Sequence, residues 1–371
     1  MFTPADTPIL ILADGTLGTP MAKMATGVIS YGQWPVVAVI DKNHAGKTVK
    51  DVTGIERGEN IPVVATLEEG LTLKTLDGNR PKALLLGATP QGGQLPAHWL
   101  PTIKDSVTSG LHIINGLHDF LSENIELVQL AIKNKVLLWD VRDPKAINQT
   151  HWWPIALQKP RPQGTRVITT VGSDCSVGKM FTALELTAGA RKRGKVCSFV
   201  ATGQVGILIS GRGVPLDRVI GDFMAGYLES CMFETIEQEN PEWIFVEGQG
   251  SLLHPGYSGV TLSLLHGSNP DGMILCHNPS HSKIKGGYNV TIPPLPEVIE
   301  TYTRAAHWID IENGPRPKVL GISLNTSAFS DEEALKLVKQ AEEETGLPAS
   351  DPVRYGVSNL IAGIEKAFSK S

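Results

Sequence analysis

VITTVGSDCSVGKMFTALEL, residues 167–186, reads as a strand, a glycine loop and a helix in immediate succession. Val167–Val171 is a β-branched run that favours a strand. Gly172-Ser173-Asp174-Cys175-Ser176-Val177-Gly178-Lys179 follows, and a helix is expected to open at the lysine and run to Arg193. Phosphate oxygens need several converging N–H donors. Glycines let the backbone wrap close to the anion, and the helix N-terminus adds partial positive charge. Lys179 then supplies a point charge for the terminal phosphates. The plain alternative is a strand–helix turn that happens to contain Gly-Lys, but here all four parts occur in order. Gly172, Ser173, Asp174, Cys175, Ser176, Val177, Gly178, Lys179 and Met180 are therefore the expected binding loop for a phosphate-bearing ligand. Two departures qualify the motif. Five residues rather than four separate its glycines, and Met180 stands where Ser or Thr normally ligates Mg²⁺. A thioether is too soft for that metal, and Thr182 faces another way on a helix. No metal site is expected.

Outward from this loop, short apolar runs alternate with amphipathic stretches. Ile9–Ala13, Val36–Ile40, Ile61–Val64, Ala83–Leu86, His112–Ile114 and Val136–Trp139 read as strands before it. Val196–Ala201, Trp243–Val246, Met273–Cys276 and Val319–Leu324 read as strands after it. Helices are expected at 19–30, at 122–134 with Ser122 as cap, from Leu216 to Glu237, and over 330–345. Strands alternating with helices imply βαβ units and parallel sheets covered on both faces. Residues 151–166, HWWPIALQKPRPQGTR, break the pattern and read as a linker. The expected architecture is α/β: an N-terminal domain over 1–155 and a three-layer α/β/α domain over 156–371, with mainly parallel sheets.

Composition narrows the function classes. With 33 basic and 38 acidic residues the formal charge is −5, without long blocks of one sign, so no nucleic-acid partner is expected. No apolar run approaches the ~18 residues of a membrane span. The N-terminus MFTPADTPILILADG lacks a basic segment and a small-residue cleavage site. Cys175, Cys197, Cys231 and Cys276 are widely spaced, which fits reduced thiols and a cytoplasmic protein. The 38 glycines and 25 prolines exceed the ordinary share of about 12%. No Gly-X-Y period accounts for them, so they are expected in turns.

In a doubly wound sheet ligands lie beyond the C-terminal ends of the strands, which selects the loops there. After Val246 comes Glu247-Gly248-Gln249-Gly250, then His254. Glu247 offers a carboxylate for a metal, an amine or a proton, and His254 a general base; a solvated turn carboxylate and a capping histidine are the plain readings. After Ala201 the glycine-rich stretch TGQVGILISGRGVP carries Gln204 and Arg212, the latter between Gly211 and Gly213. Arg212 suits a carboxylate or phosphate, or is a surface arginine. Cys175 reads better as a small loop filler than as a nucleophile. In the N-terminal half, Gly15-x-x-Gly18 with Asp41 is a dinucleotide fingerprint lacking its third glycine.

Gly172–Lys179 followed by Val246-Glu247-Gly248-Gln249-Gly250 resembles the dethiobiotin synthetase branch of P-loop proteins, less the Thr after the lysine. A second resemblance covers nearly the whole chain. Asp41–Lys47, Gly92-Gly93, Gly116–Leu121, Asp140-Val-Arg142, the Gly172–Lys179 loop and Ile292-Pro-Pro-Leu-Pro-Glu297 resemble a family of former domains of unknown function that includes D-glutamate N-acetyltransferases. That resemblance implies an N-terminal Rossmann-like domain, a P-loop NTPase-like domain, and acetyl transfer from acetyl-CoA to the amine of a small acidic amino acid. By their loop positions, Glu247, His254, Lys179 and Arg212 are the catalytic candidates for such a transfer, and Gln204, Arg212 and Gln249 are expected to contact the acceptor. The alternatives are ATP with Mg²⁺ in a ligase or kinase, which Glu247 favours and Met180 opposes, and a nucleotide sensor without chemistry. The apolar faces and the Trp152-Trp153 pair point to a homo-oligomer or to buried packing between domains.

Overall fold

The computed structural model describes residues 3–144, 154–307 and 317–369. Trp152 and Trp153 lie outside them. The chain divides into two compact units: residues 1–150 with 203–218, and 151–202 with 219–371. No helix among the described residues is long and apolar enough to cross a membrane.

The first unit holds strands β1 (Ile9–Leu12), β2 (Val36–Ile40), β3 (Val63–Val64), β4 (Ala83–Leu86), β5 (His112–Asn115) and β6 (Leu138–Asp140). They form one parallel sheet in the order β3-β2-β1-β4-β5-β6, the dinucleotide-binding order. Helices α1 (Lys23–Tyr31), α2 (Val49–Thr53), α3 (Leu67–Thr72), α4 (Leu100–Thr108) and α5 (Ile125–Asn134) fill the crossovers. Helix α5 starts three residues later than the sequence implies. The Asp140 carboxylate accepts the N–H groups of Leu121 and Ser122, both at 3.0 Å. It thereby holds 121–123 in a 3₁₀ turn, and Asn124 caps the helix by accepting the Leu127 N–H at 3.1 Å.

Asp41 closes off the dinucleotide reading at β1 and β2. It is fully buried. One carboxylate oxygen accepts the Leu17 N–H at 2.9 Å, and the other accepts Asn43 N–H at 3.1 Å and bonds His44 Nδ1 at 3.0 Å. The oxygens that would meet a ribose are committed to the protein's own loop.

The second unit holds β7 (Arg166–Gly172), α6 (Lys179–Lys192), β8 (Cys197–Val200) and, after a segment that belongs to the first unit, α8 (Met224–Glu239). Then come β9 (Trp243–Val246), α9 (Ser258–Ser268), β10 (Gly272–His277), α10 (Leu295–Ala306), β11 (Lys318–Leu324), α11 (Asp331–Thr345), β12 (Ala349–Ser350) and α12 (Ser358–Phe368). The intervening helix α7 is Gln204–Ser210. The strands run parallel in the order β12-β11-β10-β7-β9-β8. The chain leaves β7 toward one edge and later crosses to the other, so the switch point lies at β7, the strand that feeds the glycine loop. Leu295, Val298, Tyr302 and Ala306 form one face of α10 and pack with Met273, Leu275, Ile322 and Ala341 in the core. Ser330 and Glu333 close a capping box on α11.

Two readings need correction. The glycine-rich stretch after β8 is not all loop: Val205, Ile207, Leu208 and Ile209 are buried, and the apolar run forms α7. Leu208 O accepts the Trp34 indole N–H at 2.6 Å, which ties α7 to the first unit. The helix expected from Leu216 begins at Met224, after two 3₁₀ turns at 216–218 and 221–223. Asp217, in the first of these turns, pairs with Arg142. The linker is also less free than its composition implies. The buried Glu229 carboxylate on α8 accepts the N–H groups of Leu157 and Lys159 at 2.7 and 2.9 Å, and Arg161 pairs with Asp271 at 2.9 Å.

Candidate active site

The site forms where β7, β9 and β10 end. Gly178 has φ +106°, a conformation that L side chains rarely adopt, and it sets the chain into α6. Ser176 is also left-handed at φ 56°. Lys179 is buried, and its Nζ donates to Asp174 O at 2.8 Å across the loop. Burial lowers its pKa, against the opposing pull of Cys276, Cys175, Asp174 and Glu247. A buried ammonium facing a glycine loop is an unmet electrostatic demand that an anion would satisfy.

The loop's first residues are braces. Ser173 donates its N–H to Cys276 O and bonds His277 Nδ1 through Oγ at 2.8 Å. The Asp174 carboxylate is fully buried and accepts Cys175 N–H at 2.6 Å and Lys285 N–H at 2.8 Å. Burial raises the Cys175 thiol pKa, so its thiolate is disfavoured and the filler reading fits better. Met180 follows Lys179, half-buried. Thr182 is buried and bonds Ser323 Oγ at 2.7 Å, so its hydroxyl is turned into the core.

Glu247 and His254 both reach this loop. Gly248 lets β9 approach β7 at this point: a Cβ there would come within 1.8 Å of Thr170 O and 2.9 Å of Lys179 Cδ. Glu247, 4% exposed, accepts Thr202 N–H at 2.9 Å and the Gln249 amide at 3.2 Å. His254 is buried between Tyr257, stacked at 4.4 Å, and Tyr288, edge-on at 4.6 Å. Its Nδ1 accepts Gly256 N–H at 3.1 Å. That bond assigns the hydrogen of a neutral ring to Nε2, which in this geometry presents a donor. Ligand atoms of Asp174, Cys175 and His254 lie within 4.8 Å of one another. The trio fits a metal poorly, because both Asp174 oxygens and Nδ1 already accept backbone N–H groups.

Gln204 and Arg212 belong to the first unit. Gln204 is buried at the start of α7, and Arg212 is half-buried between Gly211 and Gly213. Tyr302, which no sequence signal singled out, holds the loop's entry: its hydroxyl donates to Gly172 O at 2.7 Å and accepts Leu252 N–H at 3.0 Å. Burial pushes its pKa up to about 12. Burial and the neighbouring His281 push His277 down to about 4. His277 also borders a cavity of about 380 Å³ walled by Ile292, Pro293, Pro294, Leu295 and Leu337.

A P-loop domain of unknown function, DUF1611_C, matches residues 155–361, and the Rossmann-like DUF1611_N matches residues 42–144. The chain belongs to the DUF1611 family. Two relatives carry the name D-glutamate N-acetyltransferase. One, from Tritonibacter scottomollicae, is 39% identical over 295 residues, 79% of this chain and 84% of its own. The other, from a Pseudoalteromonas species, is 38% identical over 283 residues, 76% and 81%. The crystal structure of a DUF1611 family protein from Anabaena variabilis, 35% identical, superposes with TM-score 0.86 over 97% of this chain and all of its own. The relatives' names point to an N-acetyltransferase.

Proposed function

We propose that this DUF1611 member transfers the acetyl group of acetyl-CoA to the amine of D-glutamate. The observation that carries the reading is the phosphate loop itself. It presents a buried lysine, while Met180 replaces the metal-ligating hydroxyl and Thr182 is sealed against Ser323. That combination suits a phosphate-bearing ligand gripped without Mg²⁺ better than it suits ATP hydrolysis. The names of the two relatives supply the donor-and-acceptor class.

Bound acetyl-CoA would supply an activated thioester, anchored by its phosphates on the 172–180 loop. Lys179 neutralises the phosphates. Glu247, oriented by Thr202 and Gln249, takes the proton of the acceptor ammonium. His254, with its hydrogen on Nε2, donates to developing negative charge together with loop N–H groups. Gln249 contacts the acceptor beside Glu247.

The test is thiol release with product mass, using acetyl-CoA and D- or L-glutamate. Formation of N-acetyl-D-glutamate with one thiol per product is the expected result; no release over a panel of acidic amino acids would overturn the proposal. Glu247 at the end of β9 favours one rival, an ATP-dependent ligase, which predicts Mg²⁺-dependent ADP formation instead.

A further inference from the structure

Several family-like segments of the first unit take no part in the roles above. Gly92-Gly93, Gly116–Leu121, Asp140–Arg142 and the start of α1 all follow strands of one parallel sheet, so they share its C-terminal edge. Contacts join them. His118 donates its N–H to Gly93 O at 2.8 Å, and its ring sits so close that a Cβ on Gly93 would come within 2.4 Å. Arg142, 6% exposed, donates from Nε to Gly116 O at 2.9 Å and pairs with Asp217. Arg218 lies 4.5 Å from the centre of the Phe120 ring.

These groups feel one another's charge. Burial and Arg218 lower Arg142 to about 10. Burial and Arg142 lower Lys23. His118 is lowered by burial and by Arg142, Arg218 and Lys23, with Asp119 opposing. The facing carboxylates are Asp217, engaged by Arg142, and Asp119, which accepts Leu95 N–H at 2.6 Å. Among the described residues neither Lys23 nor Arg218 has an ion-pair partner. Gathering cations around a buried guanidinium costs stability unless an anion offsets it. The remaining Arg142 N–H groups, a second guanidinium and an ammonium on one rim match two separated carboxylates.

We propose that Lys23, Arg142 and Arg218 form a dicarboxylate-binding site at this edge of the first unit's sheet. Taking D-glutamate as its ligand rests on the acetyl-transfer reading; the site as a dicarboxylate receptor does not.

The test uses Lys23→Glu and Arg218→Glu in the full chain, both at exposed positions. Calorimetry with glutarate, which has two carboxylates and no amine, reads the site directly. Steady-state kinetics then compares KM for D-glutamate with KM for acetyl-CoA. Each reversal is expected to weaken glutarate binding and raise KM for D-glutamate by ~10-fold or more, one lost charge contact, with KM for acetyl-CoA little changed. Thermal unfolding is expected to match wild type. Glutarate that fails to bind wild type, or binds both variants normally, would overturn the site. So would a shift in KM for acetyl-CoA alone, which would assign these cations to the donor's phosphates. Glutarate binding that the variants lose, in a protein without acetyl transfer, would uphold the site and overturn the transferase reading.

Discussion

Replacing Lys179 by methionine separates ligand binding from folding. The side chain is buried and donates from Nζ to Asp174 O at 2.8 Å. A unit charge 3–4 Å from a phosphate oxygen at an effective dielectric near 20 interacts by about 4–5 kcal/mol. Desolvation removes part of this, which leaves about 3 kcal/mol, or roughly a hundredfold in affinity. Stability should move the other way. Burial lowers the lysine pKa from 10.5, so the fold disfavours the ammonium. Between that lowered pKa and the unfolded value, the unfolded chain binds more protons, and stability rises with pH. Lys179→Met removes both the burdened charge and that slope. Calorimetric titration with acetyl-CoA should show a Kd raised about a hundredfold. Urea unfolding of the ligand-free variant should show unchanged or higher stability and a flatter alkaline profile. An acetyl-CoA Kd within a few-fold of wild type, or a strongly destabilised ligand-free variant, would refute the reasoning.

Other perturbations test the surrounding parts. Glu247→Gln keeps an oxygen for Thr202 N–H but cannot take a proton, so kcat/KM should fall by ~100-fold or more while the thermal midpoint barely moves; normal turnover would remove Glu247 from the chemistry. Tyr302→Phe strands the half-buried Leu252 N–H and the buried Gly172 O, and denaturant unfolding should show a loss of about 2 kcal/mol. His277, held near 4 in the fold, favours the neutral ring. Its contribution is therefore complete above the ordinary histidine pKa of 6.5 and is lost as pH falls toward 4, by at most about 3 kcal/mol. His277→Asn should flatten the acid limb of the stability curve over that window.

Much of the architecture was legible because its signals are local. β-branched runs marked the strands, and the glycine–lysine loop marked the switch-point strand of the second sheet. Glu247 is a candidate in the sequence because it ends a strand, and the sheet rule selects strand ends. What escaped depended on distant partners. Nothing around Leu216 announces that Asp217 pairs with Arg142, 75 residues away. Gln204 read as a loop residue, since two glycines flank it; only burial of the 205–209 apolar run against the first unit makes it helical. Ser122 and Asn124 are equally good caps by type, and the Asp140 carboxylate decides between them. Tyr302 occupies one position in an amphipathic stripe, and its role comes from two backbone groups brought to its hydroxyl by other strands and loops.

On the proposed function, the 172–180 loop holds acetyl-CoA without a divalent metal. Titration calorimetry of the wild-type protein in EDTA, with acetyl-CoA and with ATP, then repeated with Mg²⁺, tests it most directly. Saturable 1:1 acetyl-CoA binding in EDTA is expected, unchanged by Mg²⁺ and tighter than ATP binding under both conditions. Tight ATP binding that requires Mg²⁺, with no heat from acetyl-CoA, would contradict it.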